Sequence, residues 1–405
     1  MRGGIRRFLN LGVHDGRNRA YSLRRLDLSK INFFHRTADE VAAQGKVLPT
    51  LTPAKASVPN RKRICNTNLA AAEAAAPKIK KAPASELVMR PPEVSSCLPG
   101  RHCVHFFPTA SEKTFVLGDR ANRMLCFDMG EHCRSIDTMP SLHEHKHSPL
   151  SITVPPSDSH LDDGEDCGDL YIIDRILHPD KSEVKPQFEA LKHAYVYGHA
   201  LVGDTICFSI AGAEGTGTYC FYIKTREWSK AGDWLIPSQG KAEYVPELGL
   251  WFGESQGLPC AADISGVLRG EEPLPEKMRI WANDDLPEEW QPSELCKSKV
   301  ISVGSGRFIV ADFLDSMIFD KDCNEMVTGK QFALFTGMEV VYGNGKNGNG
   351  ANKDNDNYNS GNNGICKDNG NIGSKGKEMM RGLRMIKHKS IRYMFNKQLS
   401  IEAVL

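Results

Sequence analysis

Leu201-Val202-Gly203-Asp204-Thr205-Ile206-Cys207-Phe208 is followed by Gly217-Thr218-Tyr219-Cys220-Phe221 and then Thr225-Arg226-Glu227-Trp228, ending at Trp234 and Pro237. Three short runs of alternating apolar residues, each broken by Gly, Asp or Thr, read as three strands joined by tight turns. The same template recurs. Phe115-Val116-Leu117-Gly118-Asp119 leads into Met124-Leu125-Cys126-Phe127-Asp128 and on to Met139-Pro140. Leu250-Trp251-Phe252-Gly253 leads into Ala261-Ala262-Asp263-Ile264 and Arg279-Ile280-Trp281. A last copy holds Val300 to Gly304, Arg307-Phe308-Ile309-Val310-Ala311 and Phe332 to Tyr342. Gly203, Gly253 and Gly304 recur at about 50 residues, the length of a kelch repeat. Gly118 sits further back and leaves room for one more unit around Leu150 to Val154 and Leu170 to Ile176.

A small sheet cannot bury both of its faces alone, so repeated sheets stack radially around a channel. The fold class read from this pattern is all-β: a degenerate kelch-like β-propeller of about five to six blades, with disordered insertions. An irregular β-sandwich is the competing architecture.

Outward from the array, five regions separate by composition. Residues 1–34 hold two strand-like runs, Arg7 to Val13 and Tyr21 to Leu28, expected to complete the propeller. Residues 35–101 are rich in Ala, Pro and Lys and read as a low-complexity linker. Residues 102–342 are the propeller-like repeats. Residues 343–380, almost all Asn, Gly, Asp, Ser and Lys, cannot bury enough apolar surface to order themselves. Residues 381–405 recover apolar content as a C-terminal strand and tail. Phe332 to Tyr342 and Gly382 to Lys389 are expected to pair across the expanded loop between them. Ring closure is expected to place Phe8 to Val13 in that same sheet, with Leu9, Leu11 and Val13 on one face.

Composition narrows the function classes. With 51 Lys plus Arg against 50 Asp plus Glu, no global field draws the chain to nucleic acid or to an anionic membrane. The 12 cysteines never form a C-x-x-C pair, so zinc ribbons and fingers are excluded. A reducing compartment with thiols follows, and a cytoplasmic or nuclear monomer is expected. The Arg-rich start, with Arg2, Arg6, Arg7, Arg17, Arg19, Arg24 and Arg25, leaves organelle targeting as the alternative. Arg61-Lys62-Arg63 with Lys78, Lys80 and Lys81 is spaced like a two-part nuclear address.

Candidate chemistry is thin. Gly343-Asn344-Gly345-Lys346-Asn347-Gly348 spells G-x-G-x-x-G, but more Asn and Gly follow it where a dinucleotide site needs a helix. His132, Cys133, His143, His145 and His147 cluster between prolines and read as a polar loop rather than a metal site. Asp158, Asp162, Asp163, Glu165, Asp166 and Asp169 fail the calcium-loop pattern, because Ser159 and Leu161 fall at ligand positions. No G-x-S-x-G elbow is present. No catalytic, cofactor-binding or metal-ligating residue is assigned, and no cofactor is expected.

Several pieces of the chain resemble the plant family called domain of unknown function 1618, abundant in grasses. They are Arg7-Phe8-Leu9-Asn10-Leu11, Leu170-Tyr171-Ile172-Ile173-Asp174-Arg175 and, most specific, Gly240-Lys241-Ala242-Glu243-Tyr244-Val245-Pro246-Glu247-Leu248-Gly249-Leu250-Trp251-Phe252-Gly253. Gly217-Thr218-Tyr219-Cys220 followed by Trp228, Pro287-Glu288-Glu289-Trp290, Thr336-Gly337-Met338-Glu339-Val340 and Met385-Ile386-Lys387-His388-Lys389-Ser390 complete the set. The resemblance implies a kelch or F-box-associated propeller without assigned catalytic residues. Between Ala190 and His193 the chain is shorter than that pattern, which implies an incomplete blade. The expected function is a non-catalytic protein-interaction propeller with an unknown protein partner. An enzyme or carbohydrate-binding propeller with its site at the channel mouth is the alternative.

Overall fold

The computed structural model describes residues 6–51, 79–81, 83–89, 104–130, 134–144, 146, 148–155, 168–177, 194–212, 215–273, 278–282, 286–287, 290–293, 298–320, 325–342, 382–394 and 399–405. Nearly all of its regular structure is β-strand; among the described residues the α-helix is a single short one, Ala38–Gln44, capped by the Thr37 hydroxyl, which accepts from the Glu40 N–H.

The strands fall into six groups, of which the fourth and fifth are joined edge to edge in one ten-stranded sheet. The first sheet orders Leu399–Val404, Phe8–Asp15, Ala20–Asp27 and Ser85–Met89 side by side. The second is a meander of Val104–Pro108, Thr114–Asp119, Met124–Met129 and Arg134–Met139. The third holds Pro149–Val154 and Asp169–Asp174. Ala194–Val202, Thr205–Ala211, Gly217–Tyr222 and Glu227–Gly232 make the fourth, with Ile176–Leu177 beside the start of Ala194–Val202. Gln239–Val245, Leu250–Ser255, Leu258–Ala262 and Met278–Trp281 make the fifth. The sixth is built on three long strands, Arg307–Asp320, Glu325–Tyr342 and Leu383–Met394, with Lys299–Gly304 and Trp290–Pro292 both pairing Arg307–Asp320.

Each sheet is apolar on both faces, and each face is buried against a neighbour. Tyr21 and Leu23 of the first sheet pack on Phe106, Phe115 and Leu117 of the second. Phe107, Val116 and Met124 of the second meet Leu170 and Ile172 of the third. Leu150 and Ile152 of the third meet Val196, Ile206 and Phe208 of the fourth. Ala200, Cys207 and Cys220 of the fourth meet Ala242, Trp251 and Ala262 of the fifth. Leu250, Phe252 and Trp281 of the fifth meet Phe308, Val310 and Met338 of the sixth. Finally Ile309, Ala311 and Phe335 of the sixth pack on Leu9, Leu11 and Val13 of the first. Each fully buried Leu, Ile or Phe contributes roughly 1.5–3 kcal/mol relative to an exposed one.

Alternation in Phe8–Asp15 follows from this double packing. Leu9, Leu11 and Val13 are fully buried toward the sixth sheet. Gly12 faces the second sheet, where an added Cβ would lie 2.7 Å from the Phe106 ring. A side chain there would have to displace that ring.

Several expectations are corrected. Phe8–Asp15 does not join the sheet of Phe332 to Tyr342 and Gly382 to Lys389; it is hydrogen-bonded to Leu399–Val404, in a different sheet. The expected pairing of the other two is present, within Glu325–Tyr342 and Leu383–Met394. The four marker glycines are not equivalent. Gly203 (φ +59°) and Gly304 (φ +88°) end the first strand of their sheets in the left-handed conformation that a side chain resists. Gly118 and Gly253 lie inside second strands, and the fifth sheet turns instead at Gly249 (φ +63°).

The region 35–101 contributes the helix and four short strands, Lys46–Val47, Thr50–Leu51, Ile79–Lys81 and Ser85–Met89, each added to the edge of a sheet. The Asn/Gly tract 343–380, the Arg61 to Arg63 cluster and the segment from Ala190 to His193 lie outside the described residues.

Candidate functional site

Two polar clusters among the described residues combine buried titratable groups with neighbours of the opposite or the same charge. Each holds a buried histidine whose ring nitrogens have no hydrogen-bond partner, His35 in the first and His199 in the second, whereas His388 in the first has both of its nitrogens engaged.

The first lies on the sixth sheet. Arg307 and Glu339 are paired directly across neighbouring strands, and the Arg307 Nε–H donates to Glu339 Oε1 at 3.1 Å. His388 Nε2 lies 3.0 Å from Glu339 Oε2, and its Nδ1 accepts the backbone N–H of His35 at 3.2 Å. That acceptance leaves Nε2 as the donor to the carboxylate. The Arg307 guanidinium also lies over the Phe34 ring, 5.1 Å from its centroid. The hydrogen bond from His388, with help from Arg307, holds the Glu339 carboxyl below the usual carboxylate range. Both ring nitrogens of His388 are engaged, so the network clamps the segment Phe33 to His35 onto the sheet. Gly337 fits the same purpose, because a Cβ there would come within 2.6 Å of the Phe33 carbonyl oxygen. This cluster is structural.

The second cluster lies where the lead strands of successive sheets run together. Ala194–Val202 and Gln239–Val245 pair in parallel, with His199 opposite Lys241 and Ala200 opposite Ala242. Paired residues of parallel strands project to the same side, and successive residues to opposite sides. Ala200 and Ala242 point into the core between the fourth and fifth sheets. His199 and Lys241 therefore point the other way. Next to them, the Gln239 amide donates to the Tyr197 hydroxyl at 2.9 Å. Arg175 closes one side: its carbonyl accepts the Val196 N–H, its Nη1 donates to the Tyr195 hydroxyl at 2.9 Å, and its guanidinium lies over the Tyr195 ring.

His199 is 5% exposed, and neither ring nitrogen has a hydrogen-bond partner. The Arg175 Nε–H is likewise buried without a partner. Burial pushes the imidazole down to about 3, reinforced by the positive charges of Lys241, Arg175 and Lys299. Lys241 is half-exposed and has Glu243 at 3.9 Å. The imidazole is thus buried and neutral, with Lys241 paired beside it on the neighbouring strand.

A direct consequence is acid sensitivity. An unfolded histidine with its ordinary value of 6.5 takes up a proton as pH falls, whereas the folded one refuses it down to about 3. Stability is therefore full above pH 6.5 and declines as pH drops toward 3, by about 1.4 kcal/mol per pH unit for this group. His199→Leu is expected to flatten that part of the melting-temperature profile between pH 6.5 and 4; an unchanged slope would show that the ring is protonated in the folded state.

Of the sequence candidates, His143 is described and joins no metal-binding group. His132, Cys133, His145 and His147 lie outside the described residues, as do Asp158 to Asp166 and Gly343 to Gly348. Asp169 is the first residue of a strand in the third sheet. Cys126, Cys207, Cys220 and Cys260 are thiols. Cys207 and Cys220 face each other across paired strands with sulfurs 3.4 Å apart, and this contact together with burial pushes the Cys207 thiol up. Sequence reasoning missed His199 altogether. A lone His in a strand carries no pattern, and its setting depends on a parallel pairing that only the fold reveals. No helix of the described residues is long and apolar enough to cross a membrane.

Comparison with curated proteins gives no match. Among solved structures the chain is similar to the crystal structure of TolB from Acinetobacter baumannii, at 8% identity and a TM-score of 0.25, covering 97% of this chain and 67% of that one. The family number read from the sequence, 1618, is not the one that matches. The model described as "Protein of unknown function (DUF1668)" matches residues 6–197 and 192–393, and the chain belongs to that family.

Proposed function

We propose that the chain is a closed six-bladed β-propeller that serves as a non-catalytic platform for a protein partner. The observation that carries this reading is the cyclic succession of apolar clusters, in which each of six sheets packs on the next and the sixth packs on the first. The lead strands lie side by side in the same succession: Leu399–Val404 by Val104–Pro108, Val104–Pro108 by Pro149–Val154, Ala194–Val202 by Gln239–Val245, and Gln239–Val245 by Lys299–Gly304. Such a ring gathers its lead strands around an axis and presents loops at both ends, where propellers bind partners.

The third blade is the thin one, with two described strands. The clamp at His388 is accounted for by packing and calls for no reaction. Proximity labelling with the full chain fused to a biotin ligase, in cells of its source organism, tests the platform reading. A reproducible set of proteins enriched over the free ligase is expected; no enrichment would overturn it.

A further inference from the structure

We propose that Cys207 and Cys220 are joined by hydrogen peroxide into a reversible disulfide, so that the fourth group of strands carries a redox-sensitive cross-link. The inference rests on one pair of strands and is independent of the platform reading.

The geometry comes from the register. Thr205–Ala211 and Gly217–Tyr222 run antiparallel, with Cys207 directly opposite Cys220. In such a ladder hydrogen-bonded and non-hydrogen-bonded pairs alternate, and side chains approach more closely in the second kind. The Ile223 N–H donates to the Asp204 carbonyl at 3.2 Å, which makes Asp204 and Ile223 a hydrogen-bonded pair. Counting inward, Thr205 and Tyr222 are non-hydrogen-bonded, Ile206 and Phe221 hydrogen-bonded, and Cys207 and Cys220 again non-hydrogen-bonded. Ser209 and Thr218, two places further on, obey the same count, with their hydroxyls in contact at 3.0 Å. The Cα atoms of a non-hydrogen-bonded pair lie about 4.5 Å apart, inside the range of about 4.4–6.8 Å that disulfides span. In the thiol form the sulfurs already stand 3.4 Å apart, so small side-chain rotations bring them together with no change of register. The other two described thiols lack this setting. Cys126 stands opposite Val116 and Asp137, and Cys260 opposite Gly253 and Ile280.

The contact also divides the chemistry between the two sulfurs. An S–H donated by Cys207 holds the Cys220 thiol below its ordinary value, and the same contact keeps the Cys207 proton in place. The thiolate is the reactive form, so Cys220 is the attacking sulfur. Its attack on hydrogen peroxide forms an S–O bond, breaks the O–O bond and releases hydroxide, leaving a sulfenic acid on Cys220. Cys207 then attacks that sulfur. The S–S bond forms, the S–O bond breaks, and the Cys207 proton leaves with the hydroxyl as water. In total the two thiols lose two electrons and two protons, and the peroxide becomes two waters. A dithiol or glutathione reverses the bond.

Both sulfurs are buried, so access depends on local opening. Gly217–Tyr222 is flanked by Glu227–Gly232, the end strand of its sheet, whose Ser229 stands opposite Cys220. That end strand is largely exposed, and such strands open at lower cost than the core. Its detachment uncovers Cys220 while Thr205–Ala211 stays paired with Ala194–Val202 on its other side. The bond then ties two strands together on the face that packs against Ala242, Trp251 and Ala262.

The test uses the native full chain at pH 7 with hydrogen peroxide, followed by alkylation in denaturant and digestion without reductant. Mass spectrometry is expected to find Cys207 and Cys220 in one linked peptide pair, lighter by two hydrogen atoms than the two thiols. Dithiothreitol should release it. The oxidised chain should melt a few degrees above the reduced one, as closing a loop between paired strands restricts the unfolded state. Cys207→Ser is expected to stop the reaction at a sulfenic acid on Cys220, trapped by dimedone, and to abolish the melting shift. Cys220→Ser should lose both the sulfenic acid and the link. If either variant fails to fold, the linked peptide of the wild-type chain decides the matter by itself. Recovery of Cys207 and Cys220 as alkylated thiols, their linkage to other cysteines, or a link that forms only in urea would overturn the inference.

Discussion

Removing residues 399–405 is expected to give a chain that is insoluble or melts at least about 10 °C lower, although the deleted stretch contains no site. In the first sheet Leu399–Val404 covers one edge of Phe8–Asp15, and Leu405 and Asn10 exchange two backbone hydrogen bonds of 2.9 and 3.0 Å. Ile401 belongs to the core shared by the sixth and first sheets. Without this strand the edge of Phe8–Asp15 is left with unpaired N–H and C=O groups, the template on which chains aggregate. Thermal unfolding by circular dichroism and size-exclusion chromatography read the outcome. A synthetic peptide of residues 399–405 should restore part of the stability by adding back the strand. Wild-type melting of the truncated chain would show that the first sheet does not depend on Leu399–Val404.

Trp251→Ala is expected to cost about 3–5 kcal/mol, the range for large aromatic truncations in a core. Trp251 is buried between the fourth and fifth groups of strands, has its ring tilted against Tyr244 with centroids 4.6 Å apart, and donates its indole N–H to the Leu201 carbonyl at 2.9 Å. The side chain therefore ties the fifth sheet to the first hairpin of the fourth by both packing and a hydrogen bond. Trp251→Phe keeps most of the volume and isolates the hydrogen bond, with an expected loss of about 1–2 kcal/mol. Urea denaturation of the two variants measures the difference. Wild-type stability for Trp251→Ala would mean the indole contributes nothing to the contact between the fourth and fifth groups of strands.

The strands of the fourth, fifth and sixth sheets were legible in the sequence because both faces of each sheet are buried, which writes apolar residues at every second position and often between. Leu201 to Trp228 shows this plainly, and Leu248, Leu250 and Phe252 fall on the face that the alternation assigns, toward the sixth sheet. The closing strand Leu399–Val404 was not legible. It holds six residues with one acidic member, Glu402, and its place follows from a partner at the opposite end of the chain. Gly253 misled for a physical reason: it is a packing glycine, since a Cβ there would meet the Ser238 hydroxyl at 2.1 Å, whereas the turn glycines are fixed by their positive φ. The short strands within 35–101 were hidden for a similar reason. Two- and three-residue edge strands take their stability from the sheet they join rather than from their own propensity.

The junction of Phe8–Asp15 with Leu399–Val404 also sets the order of events during synthesis. Phe8–Asp15 is paired with Ala20–Asp27 and with a strand synthesised far later, so the first sheet remains an open-edged intermediate until Leu399–Val404 has left the ribosome. At ordinary elongation rates that interval lasts on the order of tens of seconds. Contacts of such long sequence separation also slow folding itself. Until then the edge of Phe8–Asp15 is open to pairing with other chains.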